Sequence, residues 1–330
     1  MDGLTSLVEE GLSQGQQEIR FTTSALTLEE IQEINSYLDG YYGTIVQCSS
    51  RKNLFSDSTE VVLSCDISDN YYVEEYLMNQ SPIPEDQQQA SELAVICQEI
   101  LSDMEEELGQ KATDYEKELW IHDYLILHTA YGYPEDEEAE YDEDSQAHES
   151  YGALYSHRAV CNGYAFAVKL LCDISGIRCE IITGQGDGVS HAWNLVCLDD
   201  AWYHLDVTWD DPSPDQQGRI IYTYFNIDDY RASLGHEWNQ QAYPEAKATK
   251  DNYYIRNDLY CENYKEFRGK CIEILQDSSV DSFQLLVGDY DGSIYSNRNM
   301  DFLFDYTDSL TVNYQSIGEI PYETIYISLK

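Results

Sequence analysis

A chain of mixed helix and strand is predicted from three observations. Apolar residues recur at helical spacing over 90–108 and 115–127, with Gly109 and the stretch 111–113 between them. A further helical period opens at Cys161, with Tyr164, Ala167, Leu171 and Ile174 on one stripe and Gly176 closing it, and two alternating stretches over 191–198 and 201–209 follow. From about residue 253 the chain becomes strand-rich, at 271–275, 283–287, 310–314 and 324–329. With 330 residues, 42% of them hydrophobic, the chain is long enough for two or three domains with cores of their own.

Taken in order, Leu28, Ile31, Ile34 and Leu38 predict a helix capped by Thr27, with Glu30 three residues on and an end near Gly40. The β-branched and aromatic stretches 59–65 and 71–76, separated by Asp66, Ser68, Asp69 and Asn70, predict a hairpin or meander. Pro82 and Pro84 then punctuate the chain before the two helices. Residues 134–144 hold eight carboxylates and no basic residue, the composition of a solvated loop; a calcium site is the sharper alternative, but the alternating ligands and central glycine of a calcium loop are missing. The stretch 184–188 is expected to be a flexible glycine loop, and 288–292 a hairpin tip. The region after 251 is expected to form a compact β unit, because no helix-length apolar period is visible there.

Charge excludes some functions. Eighteen Lys and Arg against 62 Asp and Glu give a net charge of -44, which repels phosphate backbones and anionic head groups, so neither nucleic acid nor a membrane surface is an expected partner. The apolar runs fall short of the roughly 18 residues of a membrane span, and no basic and apolar leader follows Met1. The polar stretch 2–17 fits a start placed where a secretion signal was removed, and fits a native cytosolic start equally; an extracellular or cell-surface location is preferred over a cytoplasmic one.

Nine cysteines is an odd number, so at least one thiol is left over even if the rest pair, which prompts a search for a catalytic partner. Cys161 stands at a helix start, where backbone N–H groups and the helix dipole favour a thiolate. If Asp199 and Asp200 form a two-residue hairpin turn, Leu198 faces Ala201 and Trp193 falls opposite Asp206. His191 and Asp206 then lie diagonally on one face, within side-chain reach. A cysteine, a histidine and an aspartate so placed are the parts of an acyl-transfer site: the thiolate attacks, the imidazole moves protons and the carboxylate orients the imidazole. His204, on the same expected face as Asp206, competes with His191 for the role. The bland alternative for Cys161 is a buried, inert thiol.

Around these positions the chain resembles a known family. Tyr151-Gly152-Ala153-Leu154, Ala159-Val160-Cys161-Asn162-Gly163-Tyr164-Ala165, His191-Ala192-Trp193-Asn194 and the run from Trp202 through Asp206 to Pro212 are similar to the transglutaminase-like superfamily, above all its bacterial members. Ile121-His122-Asp123-Tyr124-Leu125 is similar to the helical lead-in, and Tyr224-Phe225-Asn226 through His236, Trp238, Pro244 and Tyr253-Tyr254 to the downstream segment. The resemblance covers residues 86–255. It implies an α+β, papain-like core in which the cysteine helix packs on an antiparallel sheet, with nucleophile Cys161, base His191 and third member Asp206, and it ranks His204 below His191. It divides the chain into a mixed N-terminal region (1–85), a catalytic domain (86–250) and a β-rich C-terminal region (251–330).

The activity expected is cysteine-dependent attack on an amide carbonyl of a protein or peptide through a thioester, resolved by water in a peptidase or amidase. The alternatives are a protein-crosslinking transglutaminase and a binding module that keeps the fold. Trp193 and Trp209 are candidates to shape a substrate tunnel, although strand aromatics are mostly core, and Tyr151 is a candidate oxyanion donor beside the Cys161 N–H, with a packed aromatic as its alternative. No cofactor is expected, and the other cysteines lack paired CxxC spacing, so no zinc site is expected either. Cys172 and Cys179 are expected to be reduced, apolar core residues.

Overall fold

The computed structural model of the protein describes residues 18–24, 45–52, 58–66, 68–133, 146–211, 218–277, 279–296, 298–307, 309–316 and 323–329. The helix expected over 27–40 and the acidic stretch 134–144 lie outside them. Strands β1 (Glu18–Ser24), β2 (Ile45–Lys52) and β3 (Ser58–Asp66) make an antiparallel sheet of order β1-β3-β2.

Helix α1 (Asp69–Asn79) replaces the strand expected at 71–76. Three tyrosines suggest strand there, but Val73 and Leu77, one helical turn apart, are what reach the main core, and a helix is what puts them on one side. The expected pair follows as α2 (Gln88–Leu108) and α3 (Asp114–His128). Helix α3 starts at a reciprocal cap, in which the Thr113 hydroxyl accepts from the Glu116 N–H and the Glu116 carboxylate accepts from the Thr113 N–H.

Strand β4 (Ala130–Tyr131) pairs in parallel with β5 (Arg158–Ala159), bracketing the short helix α4 (Ser150–Leu154). Helix α5 (Cys161–Ile174) then runs into the central sheet, whose strands are β6 (Arg178–Gly186), β7 (Val189–Leu198), β8 (Ala201–Leu205), β9 (Phe225–Ile227) and β10 (His236–Trp238). Their order is β10-β6-β7-β8-β9, antiparallel throughout. Ala165 and Phe166 of α5 pack on Ile181 and Ala192 of the sheet, and the Asn194 amide donates to the Ala165 carbonyl at 2.9 Å. The fold is thus α+β, with the cysteine helix laid on an antiparallel sheet.

Two details differ from expectation. The stretch 184–188 is largely strand: β6 extends to Gly186 and pairs with β10 on its outer side. Its glycines serve close approach, since a Cβ on Gly184 would stand 2.3 Å from the Glu237 carbonyl oxygen. And β8 stops at Leu205, because the Asp206 side chain turns the chain into the short helix α6 (Val207–Asp210) by accepting from the Trp209 N–H at 3.1 Å.

Beyond β9, the chain adds helix α7 (Asp229–Ala232) before β10, and α8 (Tyr253–Arg256) after it. The last unit contains β11 (Tyr260–Cys261), helix α9 (Tyr264–Ile274), β12 (Ser282–Val287), β13 (Leu310–Ser316) and β14 (Glu323–Leu329), with strand order β11-β12-β14-β13. The strand expected at 271–275 is the end of α9, a three-turn helix capped by Asn263; Phe267 and Cys271, four apart, give it a buried stripe. Residues 288–292 are not a hairpin tip, because β12 pairs with β14 and β11 and not with β13. The unit is tied to the central sheet region by Gln284, which accepts from the Tyr254 hydroxyl and donates to the Ile220 carbonyl, and by a 2.8 Å bond between Thr223 and Thr324. Among the described residues no helix is long and apolar enough to cross a membrane.

Candidate active site

Cys161 is the first residue of α5, and no side chain caps that helix end, so its thiol meets the positive end of the helix dipole. The turn that brings the partner strands together is the two-residue one: Asp199 and Asp200 have φ of 49° and 62°, Leu198 faces Ala201, and the ladder runs back to Asn194 opposite Leu205. One step further the side chains converge, and His191 Nε2 lies 2.7 Å from Asp206 Oδ2. With Nε2 so used, Nδ1 is left free for the thiol; the His191 ring and the Ala192 N–H both act to lower the Cys161 pKa, and the thiol itself lies 3.9 Å from Asn162 Oδ1. His191 and Asp206 are both buried, while Cys161 is partly open to solvent.

The electrostatics follow from this packing. Burial alone would lower the His191 pKa, but the Asp206 charge and hydrogen bond, with the contact to Cys161, push it up to about 10. Burial alone would raise the Cys161 thiol, and the bond to His191 and the charge on it outweigh that, leaving the thiol below its ordinary value. Burial likewise works against the Asp206 carboxylate, yet His191 and a second histidine hold it well below the usual carboxylate range. Each of the three groups is shifted toward its charged form.

That second histidine is His236, at the start of β10. Its Nε2 is 2.9 Å from the same Asp206 Oδ2, and its ring is tilted against Trp209 and Trp193 at centroid distances of 4.2 and 4.6 Å. Sequence reasoning placed His236 only within the downstream similarity, without a role. The signal that could have found it was Gly184, whose missing side chain lets the strand carrying Glu237 approach. His191, Asp206 and His236 together could be taken for a metal triad, since one ligand atom from each lies within 4.8 Å of the others. Distances of 2.7 and 2.9 Å to one oxygen are those of N–H donors on a carboxylate, whereas ligands around a tetrahedral zinc stand about 3.3 Å apart.

The remaining candidates are placed as follows. His204 is held by other groups, its Nδ1 accepting from the Trp193 indole at 3.0 Å and its Nε2 lying 2.9 Å from Asp229, so the structure does not bring it to the thiol. Trp193 is buried in a cluster with Ile182, Leu195 and Ala246, a core position. Trp209 is half-buried and stacks on His191 at 5.2 Å, covering the imidazole. The Tyr151 hydroxyl donates to Glu92 at 2.7 Å and its ring stacks on Tyr155, which is the packed alternative to an oxyanion role. Cys172 and Cys179 are buried, free thiols.

A second buried pair stands behind Asp206. His122 of α3 has Asp123 at 2.8 Å from Nδ1 and Asp210 at 3.3 Å from Nε2, and Asp210 also accepts from the Tyr224 N–H at 2.9 Å. Because Asp206 and Asp210 bracket α6, this pair fixes the short helix that Asp206 begins.

A sequence model described as the Transglutaminase-like superfamily matches residues 102–207, a stretch that includes Cys161, His191 and Asp206. The chain contains a transglutaminase-like domain. The chain is 29% identical, over 125 residues, to kyphoscoliosis peptidase of Mus musculus and of Homo sapiens; the match takes in 34% of this chain and only 18% of either relative. Among solved structures, a crystal structure of a TGase is similar at 18% identity and a TM-score of 0.31, covering 57% of this chain and 50% of the other. The periplasmic domain of TgpA from Pseudomonas aeruginosa is similar at 13% identity and a TM-score of 0.26, covering 58% and 70%.

Proposed function

We propose that the transglutaminase-like domain is a cysteine acyl-transfer enzyme acting on amide carbonyls of proteins or peptides, with Cys161 as nucleophile, His191 as proton carrier and Asp206 as its orienter. The observation that supports this most is the 2.7 Å bond between His191 and Asp206 beside a thiol whose pKa His191 lowers, so that each of the three groups is shifted toward its charged form. The Cys161 thiolate attacks the carbonyl carbon, and the oxygen of the tetrahedral adduct faces the helix N-terminus, where the Cys161 N–H can donate. The protonated His191 gives its proton to the departing amine as the C–N bond breaks, leaving a thioester and a neutral imidazole. A water molecule then loses a proton to His191 while its oxygen attacks the thioester, and the acid is released with the thiolate and imidazolium restored.

Resolution by water, in a peptidase or amidase, is favoured because it needs no second binding site. Transfer to an amine is the second reading, and the net charge of -44 supports it by attracting lysine-rich acceptors. The proposed setting is extracellular or at the cell surface. The experiment offers a glutamine peptide and a peptide amide with and without excess primary amine, follows products by mass spectrometry and uses Cys161→Ala as control. Hydrolysed product that needs Cys161 is expected. Dominant amine incorporation at modest amine concentration overturns the hydrolase reading, and no turnover with Cys161 intact and reduced moves the protein to the class of binding modules.

A further inference from the structure

His236 makes two contacts that a neutral imidazole cannot satisfy together. Its Nε2 faces Asp206 Oδ2 at 2.9 Å and its Nδ1 faces the backbone carbonyl of Ala232 at 3.2 Å, and both of these atoms are acceptors. A neutral ring has one N–H and one lone pair, so one contact would set two lone pairs against each other at a residue that is 2% exposed. A ring that donates from both nitrogens satisfies both.

The charge count of the site points the same way. With the thiol and His191 ionised as a pair, Cys161 and Asp206 are negative and His191 is positive, which leaves one negative charge uncompensated in a buried place. When the thiol is acylated and His191 is neutral, Asp206 alone again leaves one. Among the described residues, no other group seen facing His236 supplies the missing cation: the titratable ones are His191, His204 and Tyr224, and Trp193 and Trp209 pack against its ring.

We propose that His236 is a standing imidazolium counter-ion of Asp206, a positioning residue that keeps the carboxylate ionised and aimed while limiting its pull on the His191 proton. This rests on the acyl-transfer reading of Cys161 and His191 for its purpose, but not for its test. Asp206 takes three N–H groups, from His191, His236 and Trp209, so both its oxygens are fixed. A cation on His236, with its ring centroid 5.6 Å from that of His191, lowers the affinity of His191 for its proton. Without that cation the imidazolium would hold its proton too firmly to protonate a leaving amine or to accept one from water. At an effective dielectric of about 20 the interaction corresponds to about two pH units.

Two measurements test this on the full chain. In the first, the ring nitrogens of ¹⁵N-histidine-labelled wild type are followed by NMR at pH 7, with His236→Gln used to assign the signals. Two protonated nitrogens on His236 are expected, and the shift pattern of a neutral ring overturns the proposal. In the second, the rate of Cys161 alkylation by iodoacetamide is followed against pH in wild type and in folded His236→Gln, which keeps an N–H for Asp206 but carries no charge. The alkaline limb should move up by one to two pH units in the variant. An unmoved limb overturns the counter-ion role. If wild-type Cys161 proves unreactive, the acyl-transfer reading fails, while the NMR result still decides the charge of His236.

Discussion

Gly186→Ala puts the close packing around His191 to a direct test. A Cβ at this position would lie 2.6 Å from Trp209 Cζ2 and 3.1 and 3.2 Å from His191 Cδ2 and Cγ. Carbon atoms in contact rest at about 3.5–4.0 Å, so the indole must retreat by about 1 Å and the imidazole by about 0.5 Å. The backbone cannot yield instead, because β6 is held between β7 and β10, with Gly186 paired to Val189 on one side and His236 on the other. Trp209 is half-buried and can swing outward, but that relieves only the first clash. The imidazole is fixed by its 2.7 Å bond to Asp206, and moving it weakens its hold on the Cys161 thiolate. An unassisted thiol with a pKa of about 8.5 is about 3% ionised at pH 7, which sets a ceiling of roughly thirtyfold on the loss of thiolate. A fall of between about threefold and thirtyfold in the alkylation rate of Cys161 at pH 7 is expected, with about 1–3 kcal/mol of lost stability. Iodoacetamide labelling with peptide mapping reads the first and urea unfolding the second. A folded Gly186→Ala protein alkylated at the wild-type rate would refute the claim that this glycine is needed for the placement of His191.

Two further outcomes can be measured with the same unfolding assay. His191 has its pKa raised to about 10, so its contribution to stability is complete below about 6.5 and lost as pH rises toward 10, whereas the depressed Asp206 contributes above about 4 and loses its part as pH falls. Asp206→Asn should therefore lose most stability relative to wild type between about pH 4 and 6.5, and a deficit that grows steadily up to pH 10 would contradict this. Burial pushes the Glu118 carboxyl up to about 8 against the opposing bond from the Asn226 amide, so folding must take up a proton between about 4.5 and 8 and costs more as pH rises through that window. Glu118→Gln removes this cost and can donate to Asn226 Oδ1, which has no partner among the described residues; a gain of about 1–3 kcal/mol at pH 8 and none at pH 4 is expected, and a loss at pH 8 would count against it.

Local signals carried much of the architecture. The helix from Cys161 to its glycine stop, the Asp199–Asp200 turn and the resulting nearness of His191 to Asp206 all depend on residues within a few positions of one another in the chain or across one hairpin. Where strand-forming aromatics or β-branched residues coincided with a helical stripe, propensity misled: Tyr71, Tyr72 and Tyr76 concealed the Val73–Leu77 stripe of α1, and Ile272 and Ile274 concealed the Phe267–Cys271 stripe of α9. His236 was out of reach for another reason. It meets Asp206 thirty residues away, through a strand that joins the far edge of the sheet, and a pairing of that range leaves no periodic trace in its own sequence. Gly184 was its only local mark, and a glycine beside another in a short stretch suggests a loop unless a strand is known to pass beside it.

The short helix α6 concentrates the difficulty that such an acidic chain must solve. Asp206 and Asp210, one at each end, are both buried, and each raises the cost of ionising the other. Buried carboxylates need cations or a full set of donors, yet Lys and Arg together number only 18 against 62 acidic residues. At this place the compensation comes from three of the seven histidines, with His191 and His236 on Asp206 and His122 on Asp210. A lysine or arginine would have neutralised the carboxylates permanently. An imidazole can also release its proton, and of the three only His191 touches a nucleophile, so the site joins one histidine free to exchange protons with Cys161 to two that hold the carboxylates behind it in place. Under the proposed function, turnover should accordingly fall further in His236→Gln than in any single Lys→Gln or Arg→Gln variant of the described residues.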